Sequence, residues 1–215
     1  MQFWQDLIRS FPWFIKGVAV TIELTAAALL IGTAIGLAVA LLKLSSQKPL
    51  RVIANTYINI IRGTPLIVQL FWIYYGLVKI IDFGGFWSAS LALAVHNGAY
   101  IAEIFRGGIQ SIDRGQMEAA HSLGMTYAQA MRRIILPQAF KRIIPPLGNQ
   151  FIIGLKDSSL AAFISMEELF NLSMRQAAAT FRDMNFYTIA GFYYLAVVTL
   201  FSFLVNRLED RLKVD

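Results

Sequence analysis

The residues best able to do chemistry in this chain lie inside strongly apolar runs. His96, Tyr100, Glu103 and Gly107 recur at spacings of four, three and four, which puts them on one face of a helix. Asn97 sits at the edge of that face, and Arg106 follows Glu103 by three residues, close enough to pair with it. Further on, Asn149 and Gln150 lead to Lys156-Asp157-Ser158-Ser159, two opposite charges and two hydroxyls that interrupt an apolar segment. Arg62-Gly63-Thr64-Pro65, with Gln69 just beyond, interrupts another. These groups offer ion pairing, hydrogen bonding and proton exchange. They do not offer covalent catalysis: no Ser-His-Asp set or H-E-x-x-H pattern occurs. His96 and His121 fall in different segments, and there is no cysteine. No catalytic and no metal-ligating residue is expected.

Each of these residues also has a plainer reading. Glu103 reads equally as a structural ion pair with Arg106, near a helix end where a long basic side chain reaches water. His96 reads first as a hydrogen-bonded interior histidine. Lys156 and Asp157 neutralise each other at a chain break. Thr64 and Gln69 belong either to a cavity wall or to a proline kink with no ligand contact.

The elements that must hold these residues are membrane helices. The chain has 215 residues, of which 57% are hydrophobic and 15% charged, and its mean hydropathy is +0.57. Soluble domains average about a quarter charged. A bilayer crossing takes about 20 apolar residues, and five segments qualify or nearly so: 18–42, 52–78, 86–105, 143–165 and 187–205. The fourth is broken by its polar tetrad. Non-helical backbone at membrane depth survives only where protein or a wet cavity satisfies it, and a charge near the bilayer centre costs at least about 2.5–3.5 kcal/mol. The expected fold class is an all-α membrane protein, one membrane domain over 1–215, with an aromatic interfacial helix over 1–17 on the outer surface.

Orientation follows from the loops, because Lys and Arg accumulate on the cytoplasmic side. The loops 43–51 and 106–142 and the C-terminus carry Lys43, Lys48, Arg51, Arg106, Arg114, Arg132, Arg133, Lys141, Arg142, Arg207, Arg211 and Lys213. The opposite side carries Arg9, Lys16, Lys79, Lys156, Arg175 and Arg182. The N-terminus is therefore expected outside and the C-terminus in the cytoplasm. The net charge of +6 is spread over the ends of apolar runs, which argues against a nucleic-acid surface.

The cytoplasmic loop 113–137 has a pattern of its own. Glu118 is expected in the first turn of a short helix, where the dipole favours an acid. Ala119 and Ala120 favour helix and leave room for a close neighbour. Gly124 is expected to end the helix in a left-handed conformation. A second helix is expected from about Tyr127 to Leu136, ended by Pro137.

Glu118-Ala119-Ala120-x3-Gly124-x9-Ile134-x-Leu136-Pro137 resembles the EAA loop of ATP-binding cassette (ABC) importer permeases at every defining position. Arg62-Gly63-Thr64-Pro65-Leu66, the stretch 102–109 and Leu155-Lys156-Asp157-Ser158-Ser159-Leu160 resemble the polar-amino-acid uptake branch. The resemblance extends over about residues 15–210. It implies a type I importer permease (MetI-like) fold of five core spans in a prokaryotic inner membrane, and a second permease chain, expected to be an identical copy. It further implies an ABC ATPase dimer docked through Glu118, Ala119, Ala120 and Gly124, with Leu136 and Pro137 shaping the loop. An extracytoplasmic binding protein would deliver a polar amino acid. A zwitterion needs an acceptor for its ammonium, Asp157 or Glu103, and donors for its carboxylate, Lys156, Ser158 and backbone groups. Asn97, Tyr100, Thr64, Gln69 and Gln150 are the other expected binding residues. With no G-x-x-x-x-G-K-[ST] run, ATP and Mg belong on the partner and this chain binds no cofactor. Rival readings are an ion-coupled secondary transporter with Glu103 and Asp157 as ion sites, an intramembrane enzyme, and an efflux or osmoprotectant permease.

Overall fold

The computed structural model describes residues 2–77, 79–81 and 83–212. Val78, at the end of the second expected span, and Lys213, one of the counted cytoplasmic charges, lie outside the described residues. Among the described residues all regular structure is helical: α1 (Gln2–Leu44), α2 (Lys48–Gly63), α3 (Leu66–Leu77), α4 (Gly84–Gln110), α5 (Arg114–Ser122), α6 (Tyr127–Ala130), α7 (Leu136–Asp157), α8 (Leu169–Thr180) and α9 (Asp183–Leu212). A π-helical stretch, Met131–Ile135, joins α6 to α7, and a 3-10 stretch, Ser158–Ile164, follows α7.

α1 and α4 form the spine. They approach closely because small residues face each other: a Cβ on Gly32 would stand 3.0 Å from the carbonyl oxygen of Ala94, and one on Gly36 would strike Ile101 at 2.7 Å. α7 joins them, with Gly108 of α4 pressed against Ile143 and Ala139. Three apolar clusters stack along this axis. Phe14, Leu169, Phe186 and Ile189 form one end. Leu24, Leu70, Leu93 and Ile164 form the middle. Val39, Ile58, Ile101, Phe105, Ile135 and Ile143 form the end nearest α5 and α6. Around them Leu30, Leu41, Trp72, Phe192, Leu195 and Leu200 remain exposed, which is how a bundle meets lipid or another chain.

Several expectations need correction. The 1–17 helix is not separate: α1 runs unbroken from Gln2 to Leu44 through Pro12. The segment 52–78 is two helices bent by 107° at Thr64–Pro65, a turn far sharper than a proline kink. Among the described residues, α1 and α9 are long and apolar enough by length and composition to cross a bilayer, with the bent α2–α3 pair as a third candidate. α4 and α7 carry polar and charged residues among their apolar ones, Asn97, Glu103 and Arg106 in α4 and Lys141, Arg142, Gln150 and Lys156 in α7, which dilutes the apolar signal. Pro145 and Pro146 lie inside α7.

Candidate functional site

The loop expected to couple to a partner is closed by local chemistry. Asp113 caps α5, its Oδ1 accepting from the Gly115 amide at 2.6 Å. Gly124 has φ +79. The Gly124 amide donates to the His121 carbonyl and the Met125 amide to the Ala120 carbonyl, at 2.9 and 3.0 Å, the paired bonds of a Schellman stop. α6 then begins with a reciprocal capping box between Thr126 and Gln129. Glu118, Ala119 and Gly124 face solvent, whereas Ala120 is buried within the loop's own packing. Glu118 is the fifth residue of α5 and not in its first turn, so the dipole argument does not apply to it.

Pro137 does not end the second helix. The chain stays helical from Tyr127 to Asp157, and the five residues before Leu136 widen into a π turn in which the Leu136 amide reaches back to the Met131 carbonyl. Proline has no amide hydrogen and its ring collides with the carbonyl four residues back; the widened turn accommodates it. Leu136 and Pro137 are exposed. A cleft of about 480 Å³ under the loop is lined by Leu44, Ile109, Met117, Tyr127, Met131 and Ile135, among others.

The intramembrane residues fall into separate groups. In the first, Gln150 Nε2 donates to Asn97 Oδ1 at 2.9 Å, with Asn97 1% and Gln150 6% exposed. Thr25 Oγ1 lies 3.4 Å from the Gly154 carbonyl beside them. The second holds the α2–α3 bend: Gln69 Nε2 donates to the carbonyls of Ile61 and Thr64 and to Thr64 Oγ1, and its Oε1 lies 3.0 Å from His96 Nδ1. Gln69 is thereby fully used as a staple. Thr64 Oγ1 in turn donates to the Ile60 carbonyl. The Tyr100 ring lies tilted at 45° against His96, centroids 5.1 Å apart, and receives the Arg62 guanidinium 5.2 Å from its ring centre.

In the third group Glu103 binds Lys43 of α1 at 2.5 Å and Arg106 at 2.8 Å. The pairing with Arg106 was legible from spacing; Lys43 was not. The fourth lies at the break after α7. Ser158 is fully buried and donates to the Leu155 carbonyl, and Ser159 donates to Lys156. These hydroxyls cap a helix end, and Ser158 has no open path to a ligand. Lys156 and Ser159 open onto a cleft of about 250 Å³ with Phe170 and Tyr194.

α4 and α7 run antiparallel, Asn97 facing Gln150 and Gly154 while Gly108 faces Ile143. Asp157 therefore lies at or beyond the level of Asn97, and Glu103 six residues the other way, about 9 Å or more along the axis. The two acids sit at different depths. Among the described residues, no three His, Cys, Asp or Glu side chains gather to hold a metal.

Glu168 and Asp6 did not stand out in the sequence. Glu168 is fully buried and caps α8, accepting from the amides of Phe170 and Asn171 at 2.9 and 2.6 Å and from Tyr194 at 2.9 Å. Thr21 of α1 lies 3.5 Å from the same carboxylate and receives the Leu169 amide. Burial pushes the Glu168 carboxyl up to about 7, against the pull of these four donors. Asp6 accepts from Arg182 at 2.7 Å and Asn185 at 2.9 Å. An acid directly before an amphipathic run was the available signal for Glu168.

Comparison with known proteins assigns the class. Residues 32–214 match the family described as binding-protein-dependent transport system inner membrane component, and the chain belongs to it. It is 36% identical over 208 residues to the arginine transport system permease protein ArtQ of Bacillus subtilis, covering 96% of this chain and 95% of that one. It is 35% identical to the glutamine transport system permease protein GlnP of Escherichia coli along the whole of both chains. A solved amino acid ABC transporter with histidines superposes with a TM-score of 0.91 at 43% identity, covering 96% and 97% of the two chains. The inward-facing MetNI methionine transporter shares the fold at a TM-score of 0.82 and 21% identity.

Proposed function

We propose that the chain is the membrane permease subunit of an ATP-driven ABC importer for polar amino acids, with a basic or neutral polar side chain. Relatives named for arginine and glutamine support the substrate class. In this reading the chain is one domain crossing a bacterial inner membrane five times, N-terminus outside and C-terminus inside. Two copies surround the pathway, two ATPases carrying ATP and Mg sit below, and a binding protein delivers the amino acid from outside. The segments 18–42, 52–78, 86–105, 143–165 and 187–205 are the spans, the second entering through the bent α2–α3 pair.

The observation that carries the coupling role is the 113–137 loop. It is rigidly capped at Asp113, Gly124 and Thr126 yet presents Glu118, Ala119 and Gly124 outward. A stiff, exposed element transmits a partner's motion; a floppy one absorbs it. Leu136 and Pro137 set the widened turn that joins the loop to α7, so motion of the loop reaches Asn97–Gln150 along one continuous helix. Alternating access about a midplane site then opens the buried Asn97–Gln150 pair to substrate. Asp157, Lys156 and Tyr100 contribute from the cavity walls. Glu103 with Lys43 and Arg106 holds the end of the pathway nearer the loop, and Thr64, Gln69 and Ser158 position backbone around it. The test is reconstitution with the ATPase and binding protein. Gln150→Ala is expected to raise the KM for amino acid uptake about tenfold, the size of one or two lost hydrogen bonds to a charged ligand, while basal ATPase activity persists. An unchanged KM removes Gln150 from the site.

A further inference from the structure

Among the described residues, two that are not glycine adopt the left-handed conformation, Ser165 at φ 61 and Phe181 at φ 56. For an L-residue with a bulky side chain this conformation costs about 1–2 kcal/mol, and glycine or asparagine is the usual choice where a helix ends this way. Phe181 ends α8 at φ 56, ψ 35. Its side chain is 91% exposed, so the ring gives the fold almost nothing in return. Met184, three residues on, is 78% exposed. The turn between them is held from behind: Arg182 and Asn185 both bind the buried carboxylate of Asp6. A strained, immobilised aromatic aimed at solvent is a feature retained for contact with something else.

We infer that Phe181 is a docking residue for the binding protein, whose ring fills an apolar recess on that partner. This rests on the import reading above, which puts the α8–α9 turn outside. The height of the turn favours a protein over lipid. Asp6, beside the turn, and Lys43, paired with Glu103 at the far end, are 37 residues apart on one helix, about 55 Å at 1.5 Å per residue. A bilayer with its headgroups is about 40–45 Å thick, so at ordinary tilt the turn stands clear of it. The family's dependence on a binding protein supplies a partner on that side.

The test uses the complete transporter in nanodiscs, titrated with its binding protein while ATPase stimulation is read. Phe181→Asn keeps a residue that tolerates the left-handed conformation and removes the ring; Phe181→Tyr keeps the ring. The Asn variant is expected to melt at the same or higher temperature than the wild type and to need about tenfold more binding protein for half-maximal stimulation, with basal ATPase unchanged. The Tyr variant is expected to need the wild-type amount. An Asn variant with unaltered half-maximal concentration overturns the inference. So does a loss of subunit assembly or basal activity, which would mean the ring faces a second copy or lipid. A wild type that the binding protein fails to stimulate defeats the import reading itself, before Phe181 is at issue.

Discussion

The two ends of this molecule solve the same problem, stopping a helix and turning the chain, with different chemistry. At the loop end, the left-handed position falls on Gly124, where an added Cβ would meet nothing within 4 Å, and every cap comes from a residue within a few positions in sequence. At the other end it falls on Ser165 and Phe181 as well as on Gly84 at the start of α4, and the buried acids Glu168 and Asp6 each add to their other bonds a contact more than a hundred residues away in sequence, Glu168 with Thr21 and Asp6 with Arg182. The loop end is locally determined and exposed. The far end is determined by tertiary contact. The first can move as a rigid unit against a partner; the second fixes α1, α8 and α9 to one another.

The sharpest way to break this contrast is Glu168→Ala, which leaves two buried amides and the Tyr194 hydroxyl without an acceptor. At about 1–3 kcal/mol per orphaned group, a loss of about 3 kcal/mol or more is expected at pH 5, seen as a large drop in melting temperature in detergent. A small drop would mean the far end does not depend on this anchor. Next in size is its pH dependence. The folded pKa is raised from 4.5 to about 7, so folding takes up a proton between those values. The stability contributed is complete below pH 4.5 and is lost as pH rises through 7, up to about 3 kcal/mol at about 1.4 kcal/mol per unit. Glu168→Gln should flatten that part of the stability profile; an unaltered slope assigns it to another group.

Gly124→Leu probes the loop end. It should cost about 1–2 kcal/mol locally, leave the melting of the bundle nearly unchanged, and lower uptake and transport-coupled ATPase at least about tenfold if the loop is the docking element. Wild-type uptake would remove that role. Smallest is Arg175→Ala. Its pair with Glu167 is exposed on both sides, so melting should shift by less than the equivalent of about 0.5 kcal/mol; a larger shift would show that the far end also relies on its surface.

The same contrast explains what was legible in the sequence. The loop motif, its helix–turn–helix shape and the Gly124 conformation were readable because their bonds join near neighbours. The Glu103–Arg106 pair followed from spacing for the same reason. The 107° bend at Thr64–Pro65 exceeds the proline kink that the sequence implies, because its staple links Gln69 to His96 across 27 residues. Lys43 on Glu103, Gln150 on Asn97 and Asp6 on Arg182 depend on which helices become neighbours, and periodicity within one segment does not specify that. Pro137 misled because a helix stop and a widened turn answer the same missing amide, and packing against Ile143 and Ala139 of the continuing helix decides for the second.

The central claim is tested most directly by uptake of radiolabelled arginine, lysine, histidine and glutamine into proteoliposomes holding this chain with its ATPase, with the binding protein on the outside. The account predicts accumulation of at least one of these amino acids that requires ATP and all three components and is lost in Gly124→Leu. Accumulation by this chain alone, driven by an ion gradient and indifferent to Gly124→Leu, would contradict it and make Glu103 and Asp157 ion sites.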